Sequence, residues 1–152
     1  MLGFLSTRPI EALVMRLRAC FESEVAEEFL EALLRLMSYM FMLLPRYKEN
    51  IKDFTGRYQF ASKDGSIAMA ALFDRGKMKV MEGTIEDPHI TVIFRDGKAL
   101  LKYLMAPKQD IIVSILRHDI ETEGNLNYLY RFGFLARELQ RELSPILPWP
   151  QK

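Results

Sequence analysis

The sequence has little of what catalytic and metal sites most often need. Among its 152 residues there is one cysteine, Cys20, and there are two histidines, His89 and His118. A single cysteine excludes a disulfide within the chain and a paired-cysteine zinc site, and it favours a reducing compartment. The chain also contains no phosphate-binding loop, no G-x-G stretch and no G-x-S-x-G nucleophile elbow. We therefore expect neither an enzyme nor a bound cofactor or metal.

An excess of one charge and a long apolar run are also missing. The formal net charge is +1, with 27% charged and 49% hydrophobic residues, so no overall field favours nucleic acid or an anionic membrane. The most apolar run, Leu36 to Pro45, is about half the roughly 20 residues of a membrane-spanning helix. The initial MLGFL is too short for a secretory signal. We expect a soluble cytoplasmic protein.

The first third of the chain has the periodicity of helices. Thr7 and Pro9 can start a first helix, and Ser23 can cap a second one. Pro45 then ends the second helix. That helix carries an apolar stripe that steps by four and three residues: Val25, Phe29, Ala32, Leu36, Tyr39 and Leu43.

From about Thr55 the pattern changes to short strands. Three segments separated by KDG and DRG turns predict an antiparallel meander: TGRYQFAS, SIAMAALF and KMKVME. A fourth strand is predicted in HITVIF, followed by a helix that Asp96 caps near Gly97 and that Ala106-Pro107 ends. A second short helix, a fifth strand in HDIETEG and a last helix capped by Asn125 follow.

This order of elements predicts one α+β domain over residues 1–152. We expect N-terminal helices over 1–45 and an α+β unit over 51–140. In that unit, helices cover a five-stranded, mainly antiparallel sheet. The proline-rich tail, 144–152, is expected to be irregular.

One acidic cluster precedes the fourth strand. Glu82, Glu86 and Asp87 come shortly before His89, and a carboxylate–imidazole pair can do acid–base work. Pro88 equally predicts a polar turn at this point, and we favour the turn.

A second acidic cluster lies in the fifth strand. Asp119, Glu121 and Glu123 alternate and therefore face one side, close to His118. This pattern fits a metal site, or a solvated outer face with Ile120 pointing inward. We favour the solvated face.

A basic run joins the helical third to the sheet. Its cations, Arg46, Lys48, Lys52 and Arg57, are interleaved with aromatic residues and could meet the phosphates of RNA or of lipid headgroups. Acidic residues break the run, so we favour a solvated connector of mixed charge.

The chain after Thr55 resembles the sterol carrier protein type-two, or lipid-transfer, family. The resemblance spans about Ile51 to Leu139. Its most telling stretch is the acid–proline lead-in Asp87-Pro88, the strand ITVIF and the helix RDGKALLKYL. The segments KDGSIAMAALFDRGKMKVMEG and IVSILRHDIETEGN are similar to the family's first strands and to its last strand with the polar cap. The resemblance implies an apolar tunnel between sheet and helices that binds sterols, fatty acids or acyl-coenzyme A esters without catalysis.

Three features depart from the family pattern. Arg117-His118 stands where the family often has glycine before its last strand. His89 stands where an acid usually follows the proline. The final residues, 150–152, are not a peroxisomal address, so we expect a bacterial or archaeal origin.

Strand alternation and helix periodicity predict which residues would face the tunnel. These predicted lipid-binding residues are Tyr58, Phe60, Met69, Phe73, Val92, Phe94, Leu100, Leu104, Ile111, Ile115, Leu129 and Phe132. Their role would be to desolvate an acyl chain, with each buried methylene contributing about 0.8 kcal/mol. A closed core made of the same residues is the competing interpretation.

The expected function is non-catalytic binding or transfer of a hydrophobic ligand: a fatty acid, acyl ester, sterol-like or isoprenoid molecule. The expected partners are this ligand and, transiently, a membrane, without nucleic acid. The alternative is an interaction module, in which the stripe from Val25 to Leu43 binds a partner helix or forms a homodimer around a closed core. An enzyme that uses His118, Asp119 and Glu121 ranks last.

Overall fold

The computed structural model describes residues 8–22, 25–105 and 111–143, without the side chains of residues 8, 21, 22, 105 and 111. Its helices are α1 (Arg8–Glu22), α2 (Ala26–Leu43), α3 (Pro45–Lys48), α4 (Gly97–Met105), α5 (Ile111–Leu116) and α6 (Leu126–Leu143). A 3-10 turn covers Glu49–Ile51. The strands are β1 (Thr55–Ser62), β2 (Ala68–Asp74), β3 (Lys77–Glu82), β4 (Ile90–Phe94) and β5 (Ile120–Gly124). The predicted cap Ser23 is wrong, because α2 begins at Ala26 with Val25 as its N-cap and without a side-chain cap hydrogen bond. The predicted cap Thr7, the helix-ending Ala106-Pro107 and the proline-rich tail lie outside the described residues.

The five strands form one sheet with the order β3-β2-β1-β4-β5. β1, β2 and β3 make the predicted antiparallel meander. β4 pairs with β1 in parallel, and β5 is antiparallel to β4. The predicted α+β class with a five-stranded, mainly antiparallel sheet is confirmed.

The helices cover one face of the sheet, which we call the inner face. Tyr58 of β1 points to this face, and its hydroxyl donates to the carbonyl of Tyr128 in α6 at 2.6 Å. The hydroxyl of Ser38 in α2 donates to the carbonyl of Met78 in β3 at 3.1 Å. α4 packs on β4. The core therefore lies between the inner face and α2, α4 and α6.

The outer face is crossed by residues 83–89, which link β3 to β4. Gln59 of β1 points to this face and is only 5% exposed. Its Oε1 accepts from the backbone N–H of Ile85 at 2.7 Å. Its Nε2 donates to the carbonyls of Met69 and Gly83, both at 3.1 Å. Because this buried amide has partners for both its donor and its acceptor, it fixes the path of the crossover.

The predicted N-terminal caps of α4, which follows β4, and of α6, which follows β5, are confirmed. The side chain of Asp96 accepts from the backbone N–H of Ala99 at 2.9 Å, and Asn125 accepts from that of Asn127 at 2.9 Å. Both are N-caps that satisfy amides in a first helical turn. α2 ends two residues before Pro45, as predicted.

The apolar stripe of α2 is not a free docking surface. The alternative prediction, in which this stripe binds a partner helix or a second copy of the chain, is therefore wrong for the centre of the stripe. Phe29 is 1% exposed, and Ala32 and Leu36 are completely buried. α1 packs along α2, and β2 and β3 lie against it. The stripe therefore stabilises the chain's own core, and its centre is not available for a homodimer.

The β1–β2 turn is held by one carboxylate. Oδ1 of Asp64 accepts from the hydroxyl of Ser62 at 2.6 Å, and from the backbone N–H and the hydroxyl of Ser66 at 3.0 and 2.8 Å. These hydrogen bonds, that of Ser62 first, lower the pKa of Asp64 from 3.8 to about 2. The turn is thus tied to the ionised carboxylate.

We expect this turn to loosen in acid. The pKa of folded Asp64 lies below its unfolded value, so the stabilisation is complete above about pH 4 and is lost as the pH falls towards 2. The protection factor of the Ser66 amide, measured by hydrogen-exchange NMR, should fall over that window. In Asp64→Asn the factor should not change with pH, and a pH-independent factor in the wild type would contradict the assignment.

Candidate ligand-binding site

Most of the predicted lining residues lie together in one apolar layer between the sheet and the helices. Ile115 of α5 is partly buried against this layer. The side chain of Ile111 lies outside the described residues. The other ten are each at most 2% exposed: Tyr58, Phe60, Met69, Phe73, Val92, Phe94, Leu100, Leu104, Leu129 and Phe132. The pattern alone does not separate a ligand wall from ordinary packing.

The half of the layer under β1 and β2 is an aromatic cluster. The ring centroids of Phe60, Phe73 and Phe132 lie 6.2, 5.5 and 5.7 Å from that of Tyr58. Phe60 and Phe132 are themselves 5.2 Å apart. Such ring pairs stabilise a core by about 0.5–1.5 kcal/mol each beyond the area that they bury. A ligand in this half would have to separate rings that already pack on one another.

Two further aromatic residues extend the cluster and were missed from the sequence. Phe41 of α2 and Tyr47 of α3 stack with centroids 4.2 Å apart. The hydroxyl of Tyr47 donates to the carbonyl of Leu135 at 2.9 Å. Burial raises the pKa of Tyr47 well above its usual value, so it remains a donor. In the sequence, the only sign of this pair is that one aromatic residue precedes Pro45 and the other follows it.

The half of the layer under β4 has a thinner cover. Val92 on β4 is buried there. The short helix α4 packs on β4, and the short helix α5 lies against the neighbouring edge strand β5. α5 has six residues. Ile112, Val113 and Leu116 of this helix are 48%, 37% and 72% exposed, whereas Ile115 packs on the core. α5 is therefore apolar on the side that faces solvent as well as on the side that faces the protein.

A buried phenol lies at the edge of the β4 half. Tyr103 of α4 is 6% exposed, and its ring centroid is 6.2 Å from that of Phe94. Burial raises the pKa of Tyr103 to about 12. Its hydroxyl is therefore protonated at neutral pH and can donate a hydrogen bond within an otherwise apolar region.

Two of the three acidic residues of the β5 region, Asp119 and Glu121, are engaged in ion pairs. Asp119 is buried and accepts from Arg95, while Glu121 pairs with Lys63. No group of three histidine, cysteine, aspartate or glutamate side chains that could hold a metal ion is found in the described part of the chain. The geometry gives Asp119 and Glu121 a structural role. The predicted solvated face is wrong for the buried Asp119, whereas Glu121 and Glu123 are exposed.

His89 also has a structural position. The side-chain Nδ1 of His89 accepts from the backbone N–H of Arg57 at 2.9 Å. The backbone N–H of His89 donates to the carbonyl of Arg57 at 2.8 Å. Its ring stacks on Tyr128, with centroids 4.6 Å apart. Its backbone amide, one ring nitrogen and its ring thus join β1, the start of β4 and α6.

The second residue before β5 has an unusual backbone conformation. His118 has φ 63°, in the left-handed region that glycine adopts most readily. Histidine can occupy this region at some cost in strain. A glycine, which the resembled family often has before its last strand, would adopt this conformation without that strain.

The basic run between α2 and β1 is largely tied to its surroundings. Arg46 pairs with Glu142 of α6, and Lys52 pairs with Glu49. Arg57 donates to backbone carbonyls of the crossover. These contacts support the connector of mixed charge.

A shallow groove of about 570 Å³ lies at the β1–β3 end of the sheet. Leu72 lies among its lining residues, with Arg57 opposite it on β1 and Lys79 opposite it on β3. These three side chains belong to the outer face, so the groove opens on the side of the sheet away from the apolar layer. It is not the predicted tunnel.

The described helices include none that combines the length and the apolar character needed to cross a membrane. The longest, α2 and α6, each have 18 residues. Both carry charged residues along their exposed sides.

The fold defined by this sheet and its helical cover is the sterol carrier protein type-2 fold. A structure described as the UbiJ-SCP2 ubiquinone synthesis protein matches with a TM-score of 0.55 and 19% identity, over 76% of this chain and 91% of that one. Sterol carrier protein domain 2 of Helicoverpa armigera matches with a TM-score of 0.51 and 19% identity, over 76% and 90%. The predicted resemblance is confirmed at the level of fold.

The same fold also occurs as part of a larger enzyme. The inverting sec-alkylsulfatase Pisa1 from Pseudomonas sp. matches with a TM-score of 0.50 and 17% identity, over 58% of this chain but only 14% of that one. No protein-family model and no curated protein match the chain. At these identities the similarity is one of fold, and function has to be argued from the site.

Proposed function

We propose that this protein binds a hydrophobic, lipid-like ligand between the inner face of the sheet and helices α4 to α6, and that it does not catalyse a reaction. The observation that carries this proposal is the apolar layer under β4, next to the short helix α5, which is apolar on both sides and packs on the core through Ile115. The sterol carrier protein type-2 fold supports it. The packing of α1 on α2, and of α2 on β2 and β3, supports a single domain.

The ligand would occupy the β4 half of the layer. Val92, Phe94, Leu100, Leu104 and Ile115 would be its wall. Leu129 of α6 would close the inner end. A twelve-carbon chain buried here gains on the order of 10 kcal/mol before the costs of association are subtracted. Part of that gain offsets the side-chain contacts that the ligand displaces.

We infer that α5 is the part of the cover that moves. A helix of six residues is far shorter than the roughly 12 to 15 residues that an isolated helix needs to be stable in water. Only Ile115 of its described side chains packs against the core. Lifting α5 would therefore open the layer while leaving the aromatic cluster intact.

Ile115→Trp should lower the affinity for a fluorescent fatty acid at least tenfold, because the indole would fill the space beneath α5. The matched control is Leu116→Trp, which introduces the same ring at a position that is 72% exposed. The control should bind like the wild type. Fluorescence titration measures both affinities, and circular dichroism checks that both variants are folded.

The more general test is native mass spectrometry of gently purified protein, followed by extraction and identification of bound lipid. A stoichiometric lipid adduct would support the proposed function. Failure to bind fatty acids, acyl esters and sterols in direct titration would reject it. Equal fatty-acid binding by the wild type and both tryptophan variants would reject α5 as the cover but not lipid binding.

A further inference from the structure

Three buried tyrosines face α6, and two of them donate to its backbone. The hydroxyl of Tyr47 donates to the carbonyl of Leu135, and that of Tyr58 donates to the carbonyl of Tyr128. For the hydroxyl of Tyr103, the described residues provide no hydrogen-bond partner. Buried tyrosine hydroxyls are normally paired, so among the residues that the structure describes this one is left without a group to bind.

An arginine and a glycine lie beside this hydroxyl. A Cβ atom placed on Gly133 would be 3.9 Å both from the hydroxyl oxygen of Tyr103 and from Nη1 of Arg137. Within the part of the chain that is described, Arg137 belongs to none of the ion pairs. Gly133 lies inside α6 and does not have a positive φ. Alanine would favour the helix more, so the absence of a side chain there leaves room between the phenol and the guanidinium.

These groups lie where the apolar layer meets the solvent. Gly133 is buried, Arg137 one turn later is exposed, and Tyr103 packs inward against Phe94. A ligand with its chain in the β4 half would present its head at this rim. The chemistry of the rim therefore bears on which lipid is bound.

We propose that Tyr103 and Arg137 bind the carboxylate of the ligand, which is a lipid with a free carboxylate, such as a long-chain fatty acid. This inference rests on the proposed function, because the acyl chain occupies the apolar layer described above. The phenol and the guanidinium donate hydrogen bonds to the carboxylate oxygens, and the guanidinium also supplies the opposite charge. A neutral ester or a sterol leaves the charge of Arg137 unpaired.

The test compares cis-parinaric acid with its methyl ester, which have the same fluorescent chain. The wild type should bind the acid at least tenfold more tightly. Tyr103→Phe and Arg137→Gln should each weaken binding of the acid about tenfold and leave binding of the ester unchanged. The matched controls are Tyr130→Phe, at a tyrosine that is 49% exposed on α6, and Arg18→Gln, at an exposed arginine of α1. Both should bind the two probes like the wild type.

Gly133→Ala separates binding from stability. The added methyl group makes only ordinary contacts in the free protein, at 3.9 Å, so the fold should be kept. The helix should gain from alanine, and the Tm should rise by about 3 °C. Affinity for the acid should nevertheless fall, because the methyl group occupies the space between Tyr103 and Arg137.

Each other outcome is decisive. If the wild type binds acid and ester with equal affinity, the carboxylate site is rejected, and water would be the partner of Tyr103. That result would not contradict lipid binding. If Tyr103→Phe loses binding of both the acid and the ester, Tyr103 has a structural role and the proposal is overturned. No binding of either probe by the wild type would contradict the proposed function itself.

Discussion

Leu36→Glu is expected to unfold the protein rather than to separate a dimer. Leu36 is completely buried in α2, between α1 and the sheet. Removing its side chain from the core costs about 2–5 kcal/mol, and burying a carboxylate without a partner adds several more. The sum is comparable with the whole free energy of unfolding of a domain, about 5–15 kcal/mol. Circular dichroism should therefore show loss of helical signal at 25 °C.

Two controls make this result specific. Leu36→Met nearly conserves volume and should lower the free energy of unfolding by less than about 1.5 kcal/mol. Met15→Glu places the same charge on α1 at a side chain that is 71% exposed, and should be nearly neutral. A folded, monomeric Leu36→Glu would mean that the stripe is a surface after all, and it would contradict the packing of α2.

The sequence predicted the local elements well because turn chemistry is local. The first and third strands have the predicted bounds, Thr55–Ser62 and Lys77–Glu82. The turns between them contain Gly65 and Gly76, with φ 78° and 90°, conformations that glycine adopts without strain. Aspartate or arginine followed by glycine was therefore enough to place the ends of the strands.

The sequence did not predict how distant elements meet. An apolar stripe at helical spacing looks the same whether it covers the chain's own sheet or a partner, so α2 could not be placed. Gln59 is similar: as a polar residue in a strand it suggests a solvated face. It is buried because residues 83–89 cross over it, which depends on the strand order.

The candidate site was predictable only in part, for the same reason. Alternation identified the inner face of the sheet, but apolar walls and packed cores have the same pattern of residues. The sequence therefore predicted both Phe73 and Phe94 as lipid-binding residues, although Phe73 belongs to the packed aromatic cluster and Phe94 lies under α4. Tyr103 was not singled out, because what marks it is the lack of a hydrogen-bond partner among the described residues, and that can be seen only when its neighbours are known.

Gly124→Ala is expected to lower the free energy of unfolding by about 3–5 kcal/mol. Gly124 has φ 110°, which strains any residue with a side chain by about 1–3 kcal/mol. An added Cβ would also lie 2.4 Å from the carbonyl oxygen of His89 and 3.0 Å from the Cα of Ile90. That carbonyl accepts from the N–H of Asn125 at 3.0 Å, so moving it would disturb the cap of α6. Thermal and urea unfolding measure the loss.

Gly65→Ala is the matched control, because it has φ 78° but no atom within 4 Å of an added Cβ. It should show the backbone strain alone, so the difference between the two variants measures the close approach of β5 to β4. Equal losses would mean that this approach is not tight.

Since Gly124 also fixes where α6 begins, its replacement should displace Arg137 from Tyr103 and weaken binding of acid and ester together. Tyr103→Phe, in contrast, should affect only the acid.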